Sequence, residues 1–160
     1  MSTNPYEKFL AGRDPLATIR ETPARVSSLA KSLGEAGLQR HYAPGKWTAA
    51  QILCHLADVD IAFSFRLRQA IAEPHHIINP FEQDDWAKPY AHLDPHLALA
   101  SFVALRNWTV AFLDTVPKSE YAKPVTHPER GTMTFQGLLE TMAGHDLNHL
   151  SQLERITASE

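Results

Sequence analysis

The sequence predicts an all-α fold, an antiparallel four-helix bundle with a long loop after its second helix. Four long segments carry apolar residues at steps of three and four, the period of a helix with one buried face. Prolines and capping residues separate these segments, and no convincing strand lies between them. Residues 73–93 and 117–133 form long loops, which are uncommon in compact domains unless they serve a site or are disordered.

Capping residues and prolines set the predicted ends of the helices. Asp14 precedes a proline, as at a helix start, whereas Thr22-Pro23 predicts that the first helix is kinked or divided. Thr48 and Gln51 match a capping box at the start of the second helix. The four predicted helices extend approximately over residues 15–32, 48–72, 95–116 and 134–156.

Composition limits the class of protein. The chain has 160 residues, 44% of them hydrophobic and 21% charged, which predicts one globular domain over residues 1–160. A net charge of -3 argues against a nucleic-acid-binding face. The chain has neither an apolar run long enough to span a membrane nor a signal-peptide pattern. Cys54 is the only cysteine, which excludes an internal disulfide, and together these facts favour the cytoplasm.

Three histidines occupy positions that the helical period turns inward. His145 and His149 are four residues apart, so they lie one turn apart on the same face of the fourth helix. His55 falls between Ile52 and Val59 on the apolar face of the second helix. The inward stripe of the fourth helix comprises Leu138, Met142, His145, His149, Leu153 and Ile156.

The spacing alone leaves two explanations open for these histidines. A buried imidazole nitrogen without a partner costs about 1–3 kcal/mol, so each ring needs a hydrogen bond or a metal. Three neutral imidazoles suit a transition metal and leave positions open for water or substrate, as catalytic sites do. The alternative is a set of hydrogen-bonded core histidines, or a polar helix face with the histidines at its border.

Two segments carry a family resemblance. PGKWTAAQILCHLAD, at residues 44–58, and GTMTFQGLLETMAGHDLNHLSQL, at residues 131–153, resemble the DinB/YfiT-like metalloenzyme family. The QDDWA and RNW segments in the middle of the chain are also similar. The resemblance implies a four-helix bundle in which one histidine of the second helix and two of the fourth bind a divalent metal. Carried over to this sequence, those ligands are His55, His145 and His149.

The resemblance implies a reaction only loosely. Some relatives are metal-dependent S-transferases that use thiols such as bacillithiol or mycothiol, and others resemble maleylpyruvate isomerases. We therefore expect a divalent ion, Zn or Ni, and a small thiol as co-substrate that attacks a small electrophile. The alternatives are a hydrolase that uses a metal-bound hydroxide and a non-catalytic, metal-binding stress protein. A small-molecule substrate and a homodimer are expected, without nucleic-acid or membrane partners.

Three weaker candidates for the reaction are Asp58, Arg66 and His127. Asp58 follows His55 by three residues and would orient that imidazole or lie near the metal, unless it is a solvated charge. Arg66 falls on the inward face of the second helix, where it would hold an anionic substrate group or extend its charged end to solvent. Arg106 has the same two interpretations. His127 would approach the site from its loop, or serve as a turn residue.

The remaining polar and aromatic side chains are given structural roles. Cys54 is rotated about 100° from its neighbour His55 on the helix, which favours a small core residue over a nucleophile. Trp47 and Trp86 would line the mouth of the site or pack at helix ends. Surface positions are predicted for Asp146, His75 and His76.

Overall fold

The computed structural model describes residues 4–159. Those residues contain six α-helices and three short strands. The helices are α1 (Glu7–Leu10), α2 (Pro15–Leu38), α3 (Ala49–Ala72), α4 (Gln83–Ala87), α5 (Pro95–Leu113) and α6 (Phe135–Ala158). The strands are β1 (His76–Ile77), β2 (Pro124–His127) and β3 (Gly131–Thr134). The four long helices, α2, α3, α5 and α6, are the four that the sequence predicts.

The predicted helix starts are confirmed by their side-chain caps. The Asp14 carboxylate accepts from the backbone N–H of Ala17, 2.6 Å away, at the start of α2. Thr48 and Gln51 form the complete capping box at the start of α3, with bonds of 2.9 and 3.2 Å. At the start of α6 the Thr134 hydroxyl accepts from the backbone N–H of Gly137 at 3.1 Å, so local sequence determines where these helices begin.

The first long helix is not divided at Thr22-Pro23, and its helical backbone is interrupted instead at Gly34 (φ 59°, ψ -175°), just beyond the predicted end at residue 32. Thr22 does not cap a new helix, since its hydroxyl donates to the carbonyl of Thr18 at 2.8 Å. Pro23 has no N–H for the carbonyl of Ile19, and Arg106 of α5 donates to that oxygen instead, at 3.3 Å. A partner from another helix therefore satisfies the carbonyl group that the proline leaves free.

The long helices pack as a bundle in which sequence neighbours do not always touch. α2 packs mainly against α6 and α5, and α3 packs mainly against α5 and α6, so α2 and α3 lie across the bundle from each other. The predicted inward stripe of α6 is confirmed, because all six of its side chains are buried. On α3, Ile52, His55 and Val59 are buried and Arg66 is half-buried.

The prediction that the chain has no strand is wrong. β2 and β3 form an antiparallel hairpin that pairs His127 with Gly131, and β1 lies parallel to β2. These strands are only two to four residues long, and β1 pairs with residues far along the chain. A periodic pattern cannot be recognised over so few residues. The hairpin matters for function because it places the side chains of His127 and Met133 beside the bundle.

One buried ion cluster joins the helices. Arg106 of α5 pairs with Asp60 of α3 at 2.7 Å and with Asp146 of α6 at 2.5 Å, and all three side chains are at most 2% exposed. The predicted surface position of Asp146 is therefore wrong. α6 is buried all round at this level, because it contacts α1, α2 and α3, so its polar flank also faces protein.

Helix α5 is the most apolar of the described helices. It is long and apolar enough to cross a membrane, a property that core helices of soluble proteins share. One face of α5 packs in the bundle and carries the buried, ion-paired Arg106. The other face exposes Leu97 and Trp108, which are 66% and 67% exposed. The homodimer and the absence of membrane partners remain predictions.

Candidate metal centre

Three imidazole rings from two helices meet inside the bundle. Nε2 of His145 lies 3.0 Å from Nε2 of His55 and 3.1 Å from Nε2 of His149. All three rings are buried, and their ligand atoms lie within 4.8 Å of one another. We call this cluster the histidine triad. The sequence pattern had placed the same three residues on inward faces, and the structure brings their Nε2 atoms together.

Burial keeps the triad in the neutral form. Desolvation, and then the neighbouring His149, lower the pKa of His55 to about 3. Desolvation also lowers the pKa of His149 to about 4, against the opposing effect of its bond to Gln152. His145 has a pKa well below its ordinary value, first because of burial and then because of the other two rings. Neutral imidazoles present the nitrogen lone pair that a metal needs.

Neighbouring side chains contact all three rings of the triad. Nδ1 of His149 donates to the side-chain oxygen of Gln152 at 2.8 Å, which leaves the lone pair on Nε2. The Trp47 ring lies 4.7 Å from the His55 ring and 6.4 Å from the His149 ring, nearly parallel to the latter. Tyr6 packs edge-on to His145 at 5.3 Å. Aromatic rings therefore cover the triad on two sides.

The donor set fits a divalent transition metal. Three imidazole nitrogens bound tetrahedrally to one ion at 2.0–2.1 Å would lie about 3.3–3.4 Å apart, a few tenths of an ångström more than the 3.0 and 3.1 Å separations from His145. Without an ion, Nε2 of His145 faces two other nitrogens, and one imidazole proton cannot satisfy both contacts. Nδ1 of His55 is buried with no hydrogen-bond partner among residues 4–159. The crowded Nε2 atoms favour a cation over hydrogen-bonded core histidines, whereas an ion bound to Nε2 would still leave Nδ1 of His55 without a partner.

Two clefts open beside the triad. The His145 cleft, with a volume of about 370 Å³, has His145 in its wall. The His149 cleft, of about 340 Å³, has His149 and Trp47 in its wall. Tyr6, Gln83 and Asp84 line both clefts. One ring of the triad therefore lies in the wall of each cleft, an arrangement that suits a catalytic metal site better than a closed structural one.

The three weaker candidates have different surroundings. Asp58 accepts from the Tyr90 hydroxyl at 2.9 Å, and no bond joins it to His55 in the part of the chain described. Arg66 and His127 both line the His145 cleft. Arg106, which shared the interpretation given to Arg66, is fully occupied by its two aspartates and the backbone of α2.

The structural roles predicted for other side chains are confirmed only in part. Cys54 is a core residue, and burial, followed by the charge of Asp58, raises the pKa of its thiol to about 11. Trp86 packs on Phe81 at 4.5 Å and does not line either cleft in residues 4–159. His75 is exposed, as predicted. The surface prediction for His76 is wrong, because strand β1 turns that ring inward to 5% exposure.

Tyr6 was missed by sequence reasoning, because it precedes a helix of only four residues. Its position over His145 depends on Gly144. A Cβ atom at position 144 would lie 2.7 Å from both the Cβ and the carbonyl oxygen of Tyr6. Only glycine permits so close an approach, so Gly144 allows α1 to pack on α6. The glycine in the AGHD segment is the one sequence signal for this contact.

Replacing Gly144 by alanine is expected to displace α1 and destabilise the protein by about 1–3 kcal/mol, because the clash involves backbone. Urea unfolding measures the loss, and hydrogen exchange of residues 6–10 reports the displacement. Gly137→Ala is the control on the same helix, where the nearest atom belongs to the Met133 side chain, 3.2 Å away. A Gly144→Ala protein as stable as that control, with protected α1 amides, would contradict this explanation.

Comparison with known proteins shows relatives of similar length. A protein of Oceanobacillus iheyensis named "Putative metal-dependent hydrolase" is 26% identical over 136 residues, which cover 84% of this chain and 79% of the relative. A protein of Geobacillus kaustophilus with the same description is 28% identical over 155 residues, covering 92% and 85%. The chain is thus similar to these relatives over most of both lengths.

Two solved structures share the fold. YfiT from Bacillus subtilis, described as a probable metal-dependent hydrolase with an unusual four-helix bundle topology, matches with a TM-score of 0.83 and 22% identity. That match covers 90% of this chain and 84% of YfiT. A mycothiol-dependent maleylpyruvate isomerase matches with a TM-score of 0.71 and 15% identity over 87% of this chain and 59% of the isomerase. The family model of the DinB superfamily matches residues 18–153, and the chain belongs to that superfamily.

Proposed function

We propose that this protein is a divalent-metal-dependent enzyme whose ion, Zn or Ni, is held by His55, His145 and His149. The observation that carries the proposal is the convergence of three neutral, buried Nε2 atoms beside two open clefts. Three protein ligands leave coordination positions for a substrate. The names of the relatives, which describe metal-dependent hydrolases, support a metal-dependent reaction.

We further propose that the reaction is thiol S-transfer to a small electrophile. Two clefts adjoin the triad, one beside His145 and one beside His149, which suits a reaction with two substrates. A divalent ion bound there would favour the thiolate form of the thiol, which is the nucleophile. The new sulfur–carbon bond forms as the leaving group departs, and the thiol proton passes to solvent or to Asp84, whose carboxylate lines both clefts.

Hydrolysis is the second candidate, with water as the nucleophile in place of the thiol. The relatives' names favour it, and the His145 cleft alone has room for a small ester or amide. Tyr6 and Trp47 cover the triad in both mechanisms. They would limit the access of bulk water and leave the clefts as the two approaches.

One assay separates the two reactions. Zinc- and nickel-loaded protein is incubated with 1-chloro-2,4-dinitrobenzene and with 4-nitrophenyl acetate, each with and without bacillithiol, mycothiol or cysteine, and products are identified by mass spectrometry. We expect thiol adducts, formed about 100-fold or more slowly by His145→Ala. Thiol-independent 4-nitrophenol release that requires the triad would establish the hydrolase instead. Adduct formation unchanged in His145→Ala, or no triad-dependent product at all, would contradict a metal-dependent enzyme.

A further inference from the structure

The His145 cleft extends away from the triad along helix α3. Val59, Phe63 and Arg66 line it at successive turns of that helix. Arg66 is eleven residues beyond His55, which corresponds to about 16 Å along the helix axis. The cleft therefore has one end at the triad and another end near Arg66.

The opposite wall follows the same direction. On α6 it runs from His145 through Thr141 to Leu138, towards the start of the helix. The β2–β3 hairpin then continues the wall with Met133 and Arg130. Four apolar side chains lie between the two ends, and we call them the apolar floor: Val59, Phe63, Met133 and Leu138.

The far end of the cleft carries cationic and donor groups. Arg66 is held by a bond from Nη2 to the carbonyl of Asn79 at 3.1 Å, with its guanidinium over the Phe81 ring. Its pKa is lowered by burial and then by the nearby Arg130. Within residues 4–159, no carboxylate oxygen lies within 4.0 Å of the guanidinium nitrogens of Arg66 or Arg130. Two like charges near each other without a counter-ion favour the binding of an anion.

His127 adds a neutral donor at this end. Its Nδ1 accepts from the backbone N–H of Glu129 at 3.2 Å, so the ring proton lies on Nε2. Burial, followed by the charges of Arg130 and Arg66, lowers the pKa of His127 and keeps the ring neutral. In the described part of the chain its Nε2 has no hydrogen-bond partner, and the ring lines the cleft.

Carboxylates also line the cleft and oppose anion binding. They belong to Glu82, Asp84 and Glu129, and all three side chains are exposed. Exposed charges are screened by water, whereas Arg66 is half-buried and loses part of its hydration. Arg66 and the buried His127 therefore dominate recognition at the inner surface, while Arg130, which is exposed like the acids, adds positive charge at the solvated rim.

We propose that the His145 cleft binds a small carboxylate whose anionic end contacts Arg66, Arg130 and His127. The body of the ligand lies along the apolar floor, and its other end reaches the triad. This inference deepens the proposed function, on which it rests, by assigning the electrophilic substrate to the class of small apolar carboxylates. The cleft volume of about 370 Å³ suits a ligand of this size.

The test compares the binding of two probes, 4-phenylbutyrate and its neutral amide, by isothermal titration of zinc-loaded and of chelator-treated protein. We expect the carboxylate to bind about tenfold or more tightly than the amide in both preparations. Arg66→Met and Arg130→Met each remove most of this preference, and Arg66→Lys retains part of it. Arg68→Met is the matched control, because Arg68 lies over Trp108 and Phe112 and is not among the residues lining the cleft.

The preference ratio separates recognition from folding, because a misfolded variant loses both probes equally. Equal binding of the two probes to the wild-type protein would overturn the inference. The inference is also overturned if Arg68→Met removes the preference for the carboxylate as Arg66→Met does. Loss of this preference after chelation would overturn it as well, since the carboxylate would then bind through the metal. A preserved preference with no thiol transfer or hydrolysis would instead overturn the proposed function and leave the anion site standing.

Discussion

Replacement of Arg106 by methionine is expected to lower the free energy of unfolding by about 3–5 kcal/mol. Arg106 bonds to Asp60, Asp146 and the carbonyl of Ile19, so its loss leaves two buried carboxylates without a cation. Burial already raises the pKa of Asp60 to about 6, against the opposing effect of Arg106. Conversely, although burial opposes it, the two aspartates hold the pKa of Arg106 above its ordinary value. Denaturant unfolding monitored by circular dichroism measures the change.

The stability deficit of Arg106→Met should also depend on pH. Without the arginine, the folded state keeps on Asp60 a proton that the unfolded state releases above about pH 4. A carboxyl pKa that is raised in the folded state costs stability as pH rises, so the deficit grows between pH 4 and 7. A deficit that shrinks over this range would contradict the explanation.

An exposed ion pair provides the matched control for Arg106. Arg20 pairs with Asp114 on the surface, where the two side chains are 43% and 54% exposed. Arg20→Met is therefore expected to cost no more than about 1 kcal/mol. Replacing Arg106, Asp60 and Asp146 together with apolar residues should recover much of the loss, because no buried charge then remains. An equal loss of unfolding free energy in Arg20→Met and Arg106→Met would show that the buried cluster stabilises the fold no more than an exposed ion pair does.

Replacement of His145 by alanine is expected to abolish the stabilisation that zinc or nickel gives the wild-type protein. A ligand present at 100 times its dissociation constant stabilises the folded state by about 2.7 kcal/mol, or roughly 5–10 °C in Tm for this size. His145 is the ring whose Nε2 contacts both of the others, so its loss removes the centre of the donor set. Calorimetry with and without added metal measures the shift.

The control for His145→Ala is an exposed histidine. His92 lies at the surface at the end of the turn Tyr90–His92, and His92→Ala should keep the full metal-dependent shift in Tm. Ca²⁺ and Mg²⁺ should give little shift with either protein, because they prefer oxygen ligands. Equal shifts in wild-type and His145→Ala protein would mean that the metal binds somewhere else.

The sequence was sufficient for the parts of the fold that depend on local signals. Capping residues such as Thr48 and the helical period gave the four long helices, and the same period turned His55, His145 and His149 inward. The burial of residues that contact several helices was harder to predict. The helical period placed Asp146 on the surface, because that pattern assumes a helix with one buried face. In the structure α6 is surrounded by other helices at this level, so Asp146 is buried. Arg106, the only charge in α5, was the available signal for a buried ion cluster.

The clefts could not be predicted, because they are formed by segments far apart in sequence. Arg130 lies in a hairpin turn, and nothing local indicates that it approaches Arg66 of α3. Gln152, three residues after His149, was within reach of a spacing argument, since residues three apart share a helix face. Tyr6 reaches His145 only through packing of a four-residue helix on Gly144. Such contacts depend on tertiary structure.

The most direct test of the central claim is the metal content of the protein. Protein expressed without a histidine tag is loaded with zinc or nickel, passed through a desalting column and analysed by inductively coupled plasma mass spectrometry. The triad predicts about one ion per chain for the wild type, and a small fraction of that for His55→Ala, His145→Ala and His149→Ala. Less than about half an ion per wild-type chain, or the same content in the three variants, would contradict a metal site formed by these histidines.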